Sequence, residues 1–230
     1  PETLPTIQAI GLDLDAAITV FGAMVTDVRS GRTVERAAFS RETARALTEW
    51  FRAHGFAVMW LADREELGFD GYAIDGPRRH AAVDNYLAIT PCDIRRVSEP
   101  PYDGPVPLRI SIIDERTVLE PIAGDMRATF DGQVACNVLT APAWELTVIE
   151  SFAPQVNKWY GIQRLCQRWG IDPRRTVAVG DDVNDVEMLR HAGLGVAMGN
   201  ARDCVKEVAQ RVTGTNNEFG VAMLIDELLA

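Results

Sequence analysis

A short apolar run, Thr176-Val177-Ala178-Val179, leads directly into Gly180-Asp181-Asp182-Val183-Asn184-Asp185 and then Val186-Glu187-Met188-Leu189. The run has the composition of a strand buried on both faces. Val186 to Ala192 reads as a helix. Three carboxylates and an amide thus share one strand-to-helix loop, at the carboxyl end of a strand. In open α/β sheets ligands bind outside such ends. Carboxylates this close repel one another unless a cation or a lysine compensates. A hard divalent cation with oxygen ligands is the simplest partner, and Mg²⁺ suits it best.

Composition narrows the rest. The chain has 230 residues, 47% of them hydrophobic, which suffices for a large domain or a core with a smaller appended domain. No apolar run approaches the roughly 18 residues of a membrane span, and no basic-then-apolar signal segment opens the sequence. A cytoplasmic protein without a membrane partner is expected. Cys92, Cys136, Cys166 and Cys204 are scattered, without CxxC spacing, and read as reduced thiols. His54, His80 and His191 are equally dispersed, which argues against zinc. The formal net charge of −10 argues against a nucleic-acid partner. An anionic substrate would need a local metal or lysine.

Along the chain, Ile7 to Leu12 is an apolar run read as a strand ending in Asp13-Leu14-Asp15. Ala16 to Val25 continues apolar and turns at Ser30-Gly31. Ser40 is a fitting N-cap for a helix through His54, with Ala44, Leu47 and Phe51 as its apolar stripe and Gly55 as its terminator. Phe56 to Ala62 reads as a buried strand, completing a βαβ-like order. From Glu65 to Glu150 prolines and glycines become frequent, and strand-like pieces appear at Leu108 to Ile113 and Trp144 to Ile149. That region reads as an inserted α+β module. The parallel pattern returns near Phe152. Asn157 caps a helix from Lys158 to Trp169, with Trp159, Ile162, Cys166 and Trp169 on one face and Gly170 after it. A strand at Leu194 to Met198 and helices at Ala201 to Ala209 and Phe219 to Leu229 complete the chain. The fold class expected is α/β, a doubly wound parallel-sheet core from 1–64 and 151–230 with a cap domain at 65–150.

Asp13 and Asp15, two apart at a strand end, would present both carboxylates on one face. One carboxylate can serve as nucleophile and another as general acid/base in phosphoryl transfer. Lys158, in the first turn of a helix, can add positive charge where helix N-termini already favour anions.

Gly180 to Leu189, followed by Gly195-Val196-Ala197-Met198-Gly199-Asn200-Ala201, resembles the fourth motif of the haloacid dehalogenase superfamily, and most of all its Cof-type, subfamily IIB phosphatases. The resemblance extends to Val156-Asn157-Lys158, to Val205-Lys206-Glu207-Val208-Ala209 and to Gly220-Val221-Ala222. It implies a Mg²⁺-dependent phosphohydrolase that forms an aspartyl-phosphate on a small phosphorylated metabolite such as a sugar phosphate. It would make Lys158 the phosphate-binding lysine and Asp181 a direct metal ligand. Asp185 would support the metal and Lys158 from outside the ligand set, Asp182 would belong to that same outer set, and Asn184 would sit at the metal's edge. Asp13 would be nucleophile, Asp15 acid/base, and both would join Asp181 at the metal.

The family's first motif reads Asp-x-Asp-Gly-Thr-Leu, whereas Asp13-Leu14-Asp15 is followed here by Ala16-Ala17-Ile18. Its second motif ends in Thr-Gly-Arg, and Leu61-Ala62-Asp63-Arg64 lacks that hydroxyl. A second alignment matches Ala17-Ile18-Thr19-Val20-Phe21-Gly22-Ala23 to the start of the family's cap, usually Ile-Thr-x-Asn-Gly-Ala. The cap would then begin near residue 17. The functional alternative is a non-catalytic relative that keeps the metal loop and works in binding or regulation.

Overall fold

The computed structural model describes residues 3–11, 13–78, 81–89, 92–141 and 146–230. The chain divides into two compact units, Pro1–Val156 and Asn157–Ala230.

The first unit begins with helix α1, Thr3–Ala9. A strand was expected to start in this segment. Pro5 sits in the first turn, where its missing N–H is not needed, and Gly11 takes a φ of 69° just past the end. Leu12 lies outside the described residues. Strands β1 (Ala16–Thr19), β2 (Met24–Asp27) and β3 (Thr33–Arg36) form an antiparallel ribbon. A tight turn thus splits the apolar run from Ala16 to Val25. Its residues Val20, Phe21 and Gly22 have φ of 51°, 59° and 100°. Glycine adopts this region freely, but a β-branched residue there loses about 1–2 kcal/mol. Phe21 is held by stacking on Phe152, with ring centroids 5.0 Å apart. Val20→Asn should therefore raise the unit's stability by about 1 kcal/mol, read as a higher midpoint in urea.

The chain continues through α2 (Arg41–Ala53), β4 (Val58–Leu61), α3 (Arg64–Leu67), β5 (Gly71–Ile74), α4 (Ala81–Ile89) and β6 (Ile94–Val97). It then forms β7 (Arg109–Glu115), α5 (Arg116–Thr129), β8 (Ala135–Ala141) and β9 (Leu146–Phe152). Trp144 lies outside the described residues. Ser40 caps α2 as expected, its Oγ accepting from the Thr43 N–H at 3.0 Å. The six strands form one sheet in the order β6-β5-β4-β7-β9-β8. β4 is antiparallel to both β5 and β7, so strand–helix–strand here is not a βαβ unit.

Side-chain alternation explains the placement. Val58 and Trp60 of β4, with Ile110, Ile112 and Ile149, turn to the face covered by Leu47 and Phe51 of α2 and by Leu119 and Met126 of α5. Met59, Ile113 and Leu146 turn to the opposite face with Val83 of α4. Each fully buried Leu, Ile or Phe contributes roughly 1.5–3 kcal/mol. That burial commits α2 and β4 to this sheet. The Trp60 indole N–H donates to Thr48 Oγ1 at 2.9 Å, which satisfies its one polar atom inside the core.

The second unit follows the sequence reading closely. Helix α6 (Lys158–Trp169) is capped by Asn157, whose Oδ1 accepts from the Tyr160 N–H at 2.8 Å, and ends at Gly170 with φ 66°. Strands β10 (Val177–Gly180), β11 (Leu194–Ala197) and β12 (Arg211–Val212) run parallel. Helices α7 (Val186–His191), α8 (Asp203–Lys206) and α9 (Gly220–Leu229) accompany them. Trp159, Ala178, Leu189, Val205 and neighbouring alanines make the core. Two expectations fail. Trp169 is 47% exposed rather than on the buried stripe. The helix expected over Ala201 to Ala209 is reduced to the four residues of α8. No described helix is long and apolar enough to cross a membrane.

Candidate active site

The acidic loop leaves β10 at Gly180 and enters α7 through a single turn, Val183–Asp185. Asp185 is 3% exposed and folds back under the strand end. Its Oδ2 accepts the backbone N–H groups of Asp181 at 3.1 Å and Asp182 at 3.2 Å. Its Oδ1 accepts from Lys158 Nζ at 2.5 Å. A second Lys158 bond, at 3.1 Å, ends on Asn184 Oδ1. One carboxylate thus fixes the loop's backbone and the lysine's head together. A buried carboxylate is tolerated when its hydrogen-bonding capacity is met, and both Asp185 oxygens are bonded here while Lys158 stays partly exposed.

Gly180 makes that arrangement possible. A Cβ at this position would stand 2.4 Å from Asp185 Cβ. The glycine before the acidic pair is therefore a requirement of packing, which the loop's charges do not reveal.

The other two carboxylates differ. Asp182 Oδ1 accepts the Val183 N–H at 2.8 Å and lies 3.2 Å from Arg202 Nε. One of its oxygens thus serves both a cap and an ion pair. Asp181 Oδ2 accepts from Asn200 Nδ2 at 3.3 Å. Asp181 Oδ1 has no partner among the described residues, and is an available carboxylate oxygen of the loop. Asn200 also accepts the Asn216 N–H at 2.9 Å and so ties the loop to a neighbouring turn. Sequence reading gave no role to Asn200, Arg202 or Gly180. Asn200 lies within the matched Gly199-Asn200-Ala201, so its signal was present.

Asp13 and Asp15 have a different setting from the strand end expected of them. Their side chains are 90% and 66% exposed, at 3.9 and 2.9 Å from Arg29 Nη2. The Asp15 carbonyl accepts the Val28 N–H at 3.0 Å, extending the ribbon. Such exposed pairs contribute about 0–1 kcal/mol. Asp13→Asn should change stability by less than about 0.5 kcal/mol in urea denaturation. Arg64 is also absorbed locally, donating to Asp70 at 2.9 and 2.6 Å.

Among the described residues no group of three or more His, Cys, Asp or Glu side chains could by itself hold a metal. Mg²⁺ commonly takes one or two protein carboxylates and completes its shell with water and phosphate oxygens. Asp181 fits that as a single ligand, because Oδ1 is available and Lys158 already balances Asp185.

The family's sequence model, described as haloacid dehalogenase-like hydrolase, matches residues 1–225. The chain belongs to the haloacid dehalogenase-like hydrolases. Within this family, one relative is the 5-amino-6-(5-phospho-D-ribitylamino)uracil phosphatase YitU of Bacillus subtilis, 48% identical over 80 residues, which are 35% of this chain and 30% of the relative. A phosphoglycolate phosphatase of Methanosarcina mazei is 31% identical over 109 residues, or 45% of this chain and 48% of the relative. The chain thus spans under half the length of these two relatives. Among solved structures, TM0651 from Thermotoga maritima superposes with a TM-score of 0.76 at 24% identity, covering 98% of this chain and 80% of that one. The subclass IIB sugar phosphatase BT4131 gives a TM-score of 0.74 at 20% identity, covering 99% and 80%. The α/β fold with a haloacid dehalogenase core and an α+β cap is shared with these structures.

Proposed function

We propose that the chain acts as a phosphoric monoester hydrolase on a small phosphorylated metabolite, with the phosphate held by Lys158. The observation that carries this reading is the joint fixing of Lys158 by Asp185 and Asn184 beside an available Asp181 oxygen. Lys158 Nζ has three N–H groups and two acceptors here, which leaves one N–H for a phosphate oxygen. Asp185 keeps the ammonium charged and aimed. Asp181 Oδ1 would hold Mg²⁺, which when bound neutralises phosphate charge and aligns the ester. The names of the relatives as phosphatases support the reaction class. We infer that the six-stranded sheet of the first unit, with α2 and β4, belongs to the cap, as in the alignment that starts the cap near residue 17.

The nucleophile's role is not carried over to Asp13. An aspartyl-phosphate requires a carboxylate held at a strand end and shielded from water, and Asp13 is exposed beside Arg29. The same observation favours one other reading, a non-catalytic domain that binds phosphate without turning it over. Hydrolysis of an aryl phosphate separates the two. Mg²⁺-dependent turnover lost in Lys158→Met supports the hydrolase. Binding of inorganic phosphate without turnover supports the binding domain.

A further inference from the structure

The first unit contains a cavity of about 400 Å³, within the range of small-molecule pockets. One wall is a face of the β1–β3 ribbon. Ala17 pairs with Thr26, Thr19 with Met24, and Thr26 with Thr33, so the five residues share that face. All five line the cavity, with Leu61, Asp63 and Arg109 opposite. An inward ribbon face normally carries Val or Ile. Three threonines there bring hydroxyls into a place where burial is costly unless they are bonded.

Several of these groups are short of partners. Thr19 Oγ1 and Arg109 Nε are buried and have no hydrogen-bond partner among the described residues. Arg109 spends Nη1 on Glu150 at 2.6 Å. Asp63 Oδ1 accepts from Thr33 Oγ1 at 3.1 Å and from the Glu65 N–H at 3.0 Å. Asp63 Oδ2 lies 3.3 Å from Arg36 Nη1, yet outside hydrogen-bond geometry. Residues lining the cavity thus carry a donor, an acceptor and a hydroxyl that lack hydrogen bonds, each atom itself shut off from solvent behind the cavity wall. Native interiors leave few such groups, and each calls for an explanation.

We infer that this cavity binds an uncharged, polyhydroxylated small molecule. A hydroxyl donates and accepts, so neighbouring hydroxyls can serve Asp63 and Arg109 in turn, while carbon-bound faces rest on Ala17, Met24 and Leu61. Thr19 would have to change its χ1 well for its buried hydroxyl to reach a ligand. A phosphate is disfavoured. Asp63, Glu65 and Asp70 outnumber Arg64 and Arg109, and both arginines are already paired. Burial alone would raise the Asp70 carboxyl, but Arg64 and the Asp93 amide hold it below its ordinary value, so it stays an anion. The site goes beyond the phosphatase reading and does not rest on it.

Backbone amide NMR of the intact chain, titrated separately with xylitol, D-glucose and myo-inositol, tests this. The expected result is saturable shifts at Thr19, Thr26, Thr33 and Leu61 with at least one of the three, and none with inorganic phosphate. Thr19→Val, which keeps the shape, should weaken that binding at least fivefold. Ala17→Leu should abolish it by filling the lumen. No saturable shift from any polyol, equal binding in both variants, or phosphate moving the same amides would overturn the proposal. Enzymatic activity is not read, so failure here leaves the phosphatase reading untouched, and the reverse.

Discussion

Asp185→Ala should destabilise the second unit by about 3–5 kcal/mol, the usual effect of removing one partner from a buried ion pair. Three interactions go at once. The N–H groups of Asp181 and Asp182 lose their acceptor, and Lys158 loses its counter-charge. Each stranded backbone donor costs about 1–3 kcal/mol when water cannot reach it. Lys158 is partly solvated and recovers some of its loss. Hydrogen exchange at the amides of β10 and β11 reads the second unit by itself, and should accelerate by roughly two to four orders of magnitude. Asp185→Asn keeps one carbonyl oxygen for the backbone and should lose clearly less. An acceleration under about tenfold (roughly 1.4 kcal/mol) in the alanine variant would mean that the loop is held by something other than Asp185.

Gly180→Ala should disable the site with a smaller loss of stability. The new methyl would sit 2.4 Å from Asp185 Cβ, so Asp185 must move by about an ångström. The carboxylate then cannot keep its backbone bonds and its bond to Lys158 together. Displacements of this size lower catalytic rates about a hundredfold when they misplace a positioned group. The expected result is a fall in kcat of about that size with Mg²⁺ saturating, alongside a stability loss of about 1–3 kcal/mol from overpacking. Both readouts are available on one preparation. An unchanged kcat would show that the Asp185–Lys158 geometry does not matter to turnover.

How much of this could be read from the sequence depended on how local the cause was. Asn157, Gly170 and the run from Val177 to Gly180 act on their immediate neighbours, and they gave α6 and β10 nearly to the residue. Lys158 and Asp185 were named, but their meeting at 2.5 Å needed the loop to double back, which Gly180 permits and no charge pattern announces. The first unit was read less well, because an apolar run is ambiguous. Ile7 to Leu12 suits a strand or the end of a helix, and its tertiary setting made part of it a helix. Phe56 to Ala62 was rightly a buried strand, but periodicity does not tell a strand its neighbours. Burial of Val58 and Trp60 against α2 and α5 decided that. The reading of Asp13 and Asp15 rested on that strand end, and the structure sets both side chains in the open beside Arg29. Asp182 and Arg202 illustrate a further limit, since an exposed acid in a charged loop is as readily a cap or ion pair as a ligand.

The central claim is that Lys158, fixed by Asp185 beside Asp181, is the phosphate-holding part of a hydrolase, and that Asp13 is not its nucleophile. Hydrolysis of p-nitrophenyl phosphate, with and without Mg²⁺, tests this most directly in the unaltered chain, Lys158→Met and Asp13→Asn. The account predicts Mg²⁺-dependent turnover in the unaltered chain, a loss of about a hundredfold or more in Lys158→Met, and a rate within about twofold of the unaltered chain in Asp13→Asn. A metal-independent background equal in all three, or turnover abolished by Asp13→Asn and kept in Lys158→Met, would contradict it.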